Sequence, residues 1–236
     1  MSDLSRCWSC GAALQNSLLL CPTCGKVQPS AGQDFKLDYF QAFALPRAFA
    51  LNSSTHDTAA LEREFHRLSR RLHPDRFARA TADEQQWSLA ATALLNDAYR
   101  TLRDPIQRTE YLLKLEGHEI GEEHSGKGAK RQPPADLLEE VFELNMQLEE
   151  MRMTRKMGED DPNLQHDLTA AGARFQTLLA EVDSDLAAQG QAWDFADGMP
   201  NENQTREAAA KIMLTLLDRR RYLRNLVRDV NEVLTA

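Results

Sequence analysis

Residues 61–77 read LEREFHRLSRRLHPDRF, and the rest of the chain is best interpreted outward from them. Leu61, Phe65, Leu68 and Leu72 recur at i, i+4, i+7 and i+11, which is one face of an α-helix. Arg63, Arg67 and Arg70 fall on a different, solvent-facing side, and Arg71 widens that positive face. Asn52, Ser53, Ser54 and Thr55 offer capping chemistry before the helix, and Pro74 ends it. A second helix starts at about Ala82 and carries Trp87, Ala91, Leu94, Ala98 and Leu102 on one stripe until Asp104-Pro105 stops it. Pro105 suits the first turn of a third helix, which runs through Tyr111-Leu112-Leu113 to Gly117. A short helix around Asp38 to Phe43 precedes them. The expected product is an antiparallel helix pair whose stiff tip carries an imidazole and a carboxylate. Arginines on a solvated helix face are ordinary, and His-Pro-Asp could by itself be a plain helix stop.

The cysteines lie elsewhere. Cys7-Trp-Ser-Cys10-Gly and Cys21-Pro-Thr-Cys24-Gly are two C-x-x-C-G knuckles, and they contain all four cysteines of the chain. Each turn lets two thiolates converge on one ion, and four thiolates in a tetrahedral set suit structural zinc. Redox-active dithiols are the alternative, but no βαβ pattern of the thioredoxin kind surrounds either pair. About 30 residues bury too little core to fold unaided, so the ion is expected to supply most of the module's folding free energy.

Beyond a loop rich in glycine and proline, the pattern is helical again from Ala135, with a break at Gly190 to Asn203. Leu137, Val141, Leu144, Leu148 and Met151 make one stripe. Leu164, Leu168, Ala171, Phe175, Leu178 and Val182 make a second, and Ile212, Leu216, Leu223, Leu226, Val230 and Val233 a third. Three long amphipathic helices imply a bundle. The first of them has too many apolar residues for one buried face. Leu138, Phe142 and Met146 form an extra stripe rotated by about 140°, and it is either wedged between neighbours or exposed for a partner.

Composition narrows the function classes. Among 236 residues there are only 11 glycines and 9 prolines, too few turn-formers for a fold of many short strands. A formal net charge of −8 argues against non-specific binding to nucleic acid or to an anionic membrane. No apolar run approaches the ~20 residues of a membrane span, and residues 1–6 are too short and polar for a signal peptide. The expectation is a cytoplasmic protein, or a mitochondrial-matrix one if it is a processed eukaryotic form, acting as a monomer or weak homodimer. No phosphate loop is present, and the proline between His73 and Asp75 in an exposed turn argues against acid–base catalysis, so no enzyme is expected.

His73-Pro74-Asp75 between two helices, followed by residues 95–105 (LNDAYRTLRDP), resembles the J-domain of DnaJ-type co-chaperones. The resemblance implies that Arg63, Arg67, Arg70 and Arg71 dock on an acidic surface of a DnaK-like ATPase, where His73, Pro74 and Asp75 trigger ATP hydrolysis. Residues 38–43 (DYFQAF), 111–117 (YLLKLEG) and 137–148 (LLEEVFELNMQL) are more specific. They resemble the HscB-type iron–sulfur cluster co-chaperones, from about Asp38 to the C-terminus and more weakly after Met151. The four-cysteine extension is similar to that of the mitochondrial members and of some bacterial ones. By this resemblance Leu138, Phe142, Glu143 and Met146, with Tyr222 on the last helix, bind an IscU-type scaffold and present it to an HscA-like chaperone. Glu139 stands where the family has an apolar residue, and Met146 where it has an acidic one. The expected fold is all-α: a zinc-ribbon-like module at 1–32, a J-domain at 33–116, a linker at 117–134 and a three-helix bundle at 135–236. The rival functions are a J-domain co-chaperone for another client, a zinc-ribbon adaptor and a thiol oxidoreductase.

Overall fold

The computed structural model describes residues 6–14, 18–29, 37–50, 57–120 and 135–235. The chain forms two compact units, Met1–His118 and Glu119–Ala236. Among the described residues the regular structure is helical, apart from two isolated antiparallel bridges, Arg6 with Ala13 and Leu20 with Val27. The linker expected at 117–134 lies mostly outside the described residues.

In the first unit, α1 (Tyr39–Ala42), α2 (Thr58–Leu72), α3 (Ala82–Arg103) and α4 (Pro105–Leu115) follow one another, with a 3-10 turn at Pro74–Phe77 between α2 and α3. Local chemistry sets the boundaries. The Asp38 carboxylate accepts from the Gln41 amide, and the Gln41 side chain accepts from the Asp38 amide, closing a capping box on α1. Thr81 and Glu84 form the same box at the start of α3. Asp104 ends α3 and caps α4 by accepting from the Ile106 and Gln107 amides. The N-cap of α2 is Asp57, which accepts from the Ala60 amide. The capping expected of residues 52–55 falls outside the described residues.

Leu61, Leu68 and Leu72 of α2 face Ala91, Leu95, Ala98 and Leu102 of α3 in the core. Leu95 therefore takes the place that the sequence pattern gives to Leu94, which is half-buried along with Trp87. Phe65 is also only half-buried, stacking on Tyr99 with ring centroids 4.1 Å apart. Tyr39 stacks on Tyr111 at 4.3 Å and donates its amide to the Tyr111 hydroxyl, which ties α1 to α4. The buried Arg108 donates to the carbonyls of Phe49 and Leu102.

The second unit is an up-down-up bundle of α5 (Leu138–Lys156), α6 (Pro162–Phe195) and α7 (Glu202–Thr235). Helices α6 and α7 have 34 residues each, about 50 Å of helix. They pack closely enough that a Cβ on Gly172 would lie 3.1 Å from Val230. The break expected over Gly190 to Asn203 is shorter than that: Gly190 is buried inside α6, which runs on to Phe195, and α7 begins at Glu202. The first half of α7 is also rotated from the expected register. Ala209, Ala210, Met213 and Leu217 are buried there, while Ile212 is exposed and Leu216 half-buried. Close packing selects the small alanines at positions where a count of large side chains selects Ile212.

Candidate functional site

The two knuckles fold as near copies. In each, the glycine after the second cysteine takes a left-handed conformation, with φ of 69° at Gly11 and 74° at Gly25. Its amide donates to the carbonyl of the first cysteine at 2.9 Å. This brings all four thiol sulfurs within 4.8 Å of one another. Cys7 Sγ lies 3.6 Å from Cys24 Sγ, and Cys10 Sγ lies 3.7 Å from Cys21 Sγ. A disulfide would need about 2.05 Å, whereas thiolates about 2.3 Å from a tetrahedral centre sit about 3.8 Å apart, so the donor set fits a metal ion. The Ser9 amide and the Gln28 side chain donate to Cys7 Sγ, and the Cys24 amide donates to Cys21 Sγ. Burial pushes the Cys7 thiol up, but hydrogen bonds from the Cys10 and Ser9 amides outweigh it and bring Cys7 to about 6. The Ala12 amide pulls Cys10 down, yet desolvation and the three neighbouring thiols carry it to about 12. Four crowded thiols cannot all ionise without a cation between them.

The second candidate site is the tip of the α2–α3 pair. The His73 and Asp75 side chains are 58% and 91% exposed, so the tripeptide is open to a partner. His73 Nδ1 accepts from the Asp75 amide at 3.3 Å and lies 3.5 Å from Asp75 Oδ2, so the two exposed side chains of the turn also meet each other. The end of α2 is held from across the hairpin: the Leu72 carbonyl accepts from the hydroxyls of Ser88 at 2.6 Å and Thr92 at 3.2 Å. Arg63 and Arg70 are exposed as expected. Arg67 makes two hydrogen bonds to Glu64, which neutralises part of its charge. Arg71 is half-buried, so it widens the positive face less than the sequence pattern suggests.

The third lies on α5. Its buried stripe is Val141, Leu144, Leu148 and Met151. Leu138, Phe142 and Met146 are exposed, Phe142 by 68%, which excludes their being wedged inside the bundle. The strip is longer than the three residues that the sequence pattern assigns to it. Met153 and Met157, i+11 and i+15 from Phe142, continue it, and with Phe142, Asn145 and Met146 they line a shallow depression of about 510 Å³. The periodicity of those methionines was the available signal, interrupted by Glu149 and Glu150 at the intervening turn. Glu143 is exposed beside the strip. Tyr222 on α7 is half-buried, and burial raises its phenol above the ordinary range. One turn before it, Arg219 pairs with Asp136 at 2.8 Å, which brings that part of α7 to the start of α5.

Among the described residues, no helix is long and apolar enough to cross a membrane. No family model matches the sequence. The iron–sulfur cluster co-chaperone protein HscB of Homo sapiens is 34% identical over 161 residues, which cover 67% of this chain and 63% of that protein. Its counterpart from Mus musculus is 32% identical over 157 residues, covering 65% and 62%. The matched region thus spans a little under two thirds of these curated relatives. Solved structures match over more of the chain. The crystal structure of human co-chaperone protein HscB has a TM-score of 0.61 at 26% identity, covering 96% of this chain and 97% of that one. Chaperone HscB from Vibrio cholerae has a TM-score of 0.54 at 24% identity, covering 84% and 97%, a likeness of fold.

Proposed function

Since the chain is of the HscB type, we propose that it is a co-chaperone of iron–sulfur cluster assembly that couples two binding events. Through residues 33–116 it engages an HscA/DnaK-like ATPase, and through 135–236 it holds an IscU-type scaffold. The observation that carries this is one chain exposing both a His-Pro-Asp tip and an apolar strip on a helix whose other face is core. Arg63, Arg67, Arg70 and Arg71 steer the tip toward an acidic surface, and His73, Pro74 and Asp75 make the contact that stimulates ATP hydrolysis. Leu138, Phe142, Glu143 and Met146, with Tyr222, grip the scaffold. Holding the client near the ATPase raises its effective concentration there, while the tip biases the ATPase toward its tight-binding state. The protein performs no covalent chemistry of its own.

The Cys7, Cys10, Cys21 and Cys24 thiolates hold zinc in a structural role, with all four positions taken by protein sulfur. The ion, when bound, fixes the two knuckles to each other. The test of the whole assignment is an ATPase assay with the cognate chaperone, with and without the scaffold, beside calorimetric titration of the scaffold alone. Stimulation that increases further with scaffold present, together with measurable scaffold binding, is expected. Stimulation without scaffold binding would assign the protein to another client, and absence of stimulation would overturn the J-domain role.

A further inference from the structure

The four-cysteine module touches both helices that flank the tip. On α3, Lys26 Nζ donates to Glu84 Oε1 at 2.6 Å, and the Glu84 side chain is only 3% exposed. Trp8 meets Trp87 edge to face with ring centroids 5.5 Å apart. The Trp8 indole is itself fixed, donating to the Val27 carbonyl at 2.8 Å. On the α2 side, the Arg71 guanidinium lies 3.7 Å from where a Cβ on Gly25 would be. Farther from the tip, Leu14, Leu18 and Leu19 face Phe43 and Leu68 across a shallow pocket.

Glu84 has a second task. Its other oxygen accepts from the Thr81 amide and hydroxyl, closing the capping box that starts α3. The residues between that box and the end of α2 are the tip. We infer that the metal module is a brace for the His-Pro-Asp turn: Lys26 and Trp8, docked on Glu84 and Trp87, are positioning residues that hold the start of α3 against the end of α2. A carboxylate in a buried capping position needs a cation to offset its desolvation, and Lys26 supplies that charge from a module whose fold depends on its ion. Metal loading is thereby linked to the stiffness of a turn that the ion never touches. Only the consequence for a chaperone rests on the function proposed above; the brace itself does not.

The test uses the full-length metal-loaded protein and amide hydrogen exchange at Arg76, Ala78 and Ala80, whose amides bond the carbonyls of His73, Asp75 and Phe77. Lys26→Ala and, separately, Trp87→Ala are expected to speed exchange at those amides about tenfold, with helix content and the amides of α6 unchanged. Lys26→Arg is expected to restore near-normal exchange, a rescue that general loss of packing would not show. Stripping the metal from the unaltered protein with a chelator is expected to loosen the same amides, and Lys26→Ala is expected to add nothing to that loosening. Unchanged tip exchange in both variants, or independent effects of chelation and Lys26→Ala, would overturn the brace. A loosened tip in a protein whose unaltered form stimulates no ATPase would leave the brace standing and overturn the chaperone role.

Discussion

The tip of the first unit and the α5 strip of the second are both exposed, but for opposite physical reasons. His73 and Asp75 are polar, so leaving them in water costs little, and their use depends on direction. The surroundings of the tip accordingly hold the turn in place: hydroxyls from Ser88 and Thr92 on the last carbonyl of α2, a capping box on α3, a lysine reaching in from the four-cysteine module. The strip exposes Leu138, Phe142, Met146, Met153 and Met157, whose contact with water is unfavourable until something covers them. It depends on area, and its only structural need is a straight helix anchored by the opposite stripe. A directional site should fail all at once when one atom changes; an area-based site should weaken in steps.

The largest effect expected lies in what supports the tip. Chelating the metal, or making Cys21→Ser, should unfold the described module residues 6–14 and 18–29, because structural zinc contributes on the order of 10 kcal/mol to such small modules. Limited proteolysis should then cut the module first and leave α2 to α4 and the bundle intact. Loss of the α2–α3 helices at the same metal concentration would show that module and hairpin fold as one body, and would blur the contrast between support and site.

Next in size is the tip itself. His73→Gln should reduce ATPase stimulation to the basal rate while the scaffold Kd stays unchanged and circular dichroism is unaltered. The strip should behave otherwise. Phe142→Ala and Leu138→Ala should each weaken scaffold binding by about 1–3 kcal/mol in calorimetry while stimulation without scaffold is retained. Leu144→Ala, on the buried side of the same helix, should instead cost about 2–5 kcal/mol of stability in urea unfolding. If Phe142→Ala destabilised the fold as much as Leu144→Ala, the strip would be core and not contact surface.

The sequence made the tip legible because everything that defines it is local. Proline, the capping residues and the arginine spacing lie within a few turns, and α2, the start of α3 at Ala82 and the Asp104-Pro105 junction follow from them. The four-cysteine cluster was legible for the same reason. The strip was half legible: excess apolar residues on α5 were visible, but Glu149 and Glu150 interrupt the pattern before Met153 and Met157. What escaped was long-range. Trp8 and Trp87, or Lys26 and Glu84, are far apart along the chain, and neither spacing nor period hints that they meet. The α3 pattern puts Trp87 on the core stripe, whereas it is half-buried against Trp8. Glycine's low helix propensity sets the start of the α6–α7 break too early, at Gly190, because tertiary packing carries the 34-residue helix on to Phe195.

The smallest effect sets one ion pair from each unit against the other. Hydrogen bonding to the Lys26 ammonium holds the Glu84 carboxyl below the ordinary range, although burial pushes it up. Hydrogen bonding to Arg219 does the same for Asp136 in the bundle. In both, the folded state binds its proton less readily than the unfolded chain, so each pair's stabilisation is complete above the unfolded pKa, roughly 4. It falls as pH drops toward the folded pKa and is gone below it. The environments differ: the Glu84 side chain is buried, whereas that of Asp136 is 60% exposed and screened by water. Thermal unfolding of the unaltered protein and Glu84→Gln, compared from neutral pH down through the carboxylate range, should show a difference that shrinks with acid. Asp136→Asn should show a smaller difference at every pH. Acid release of the metal would itself undock Lys26, so the comparison is confined to pH values at which elemental analysis shows the metal still bound. If Asp136→Asn proved the more costly, solvent screening would not be what separates the two pairs, and the contact between Lys26 and the buried Glu84 would lose its claim to be the support on which a directional tip depends.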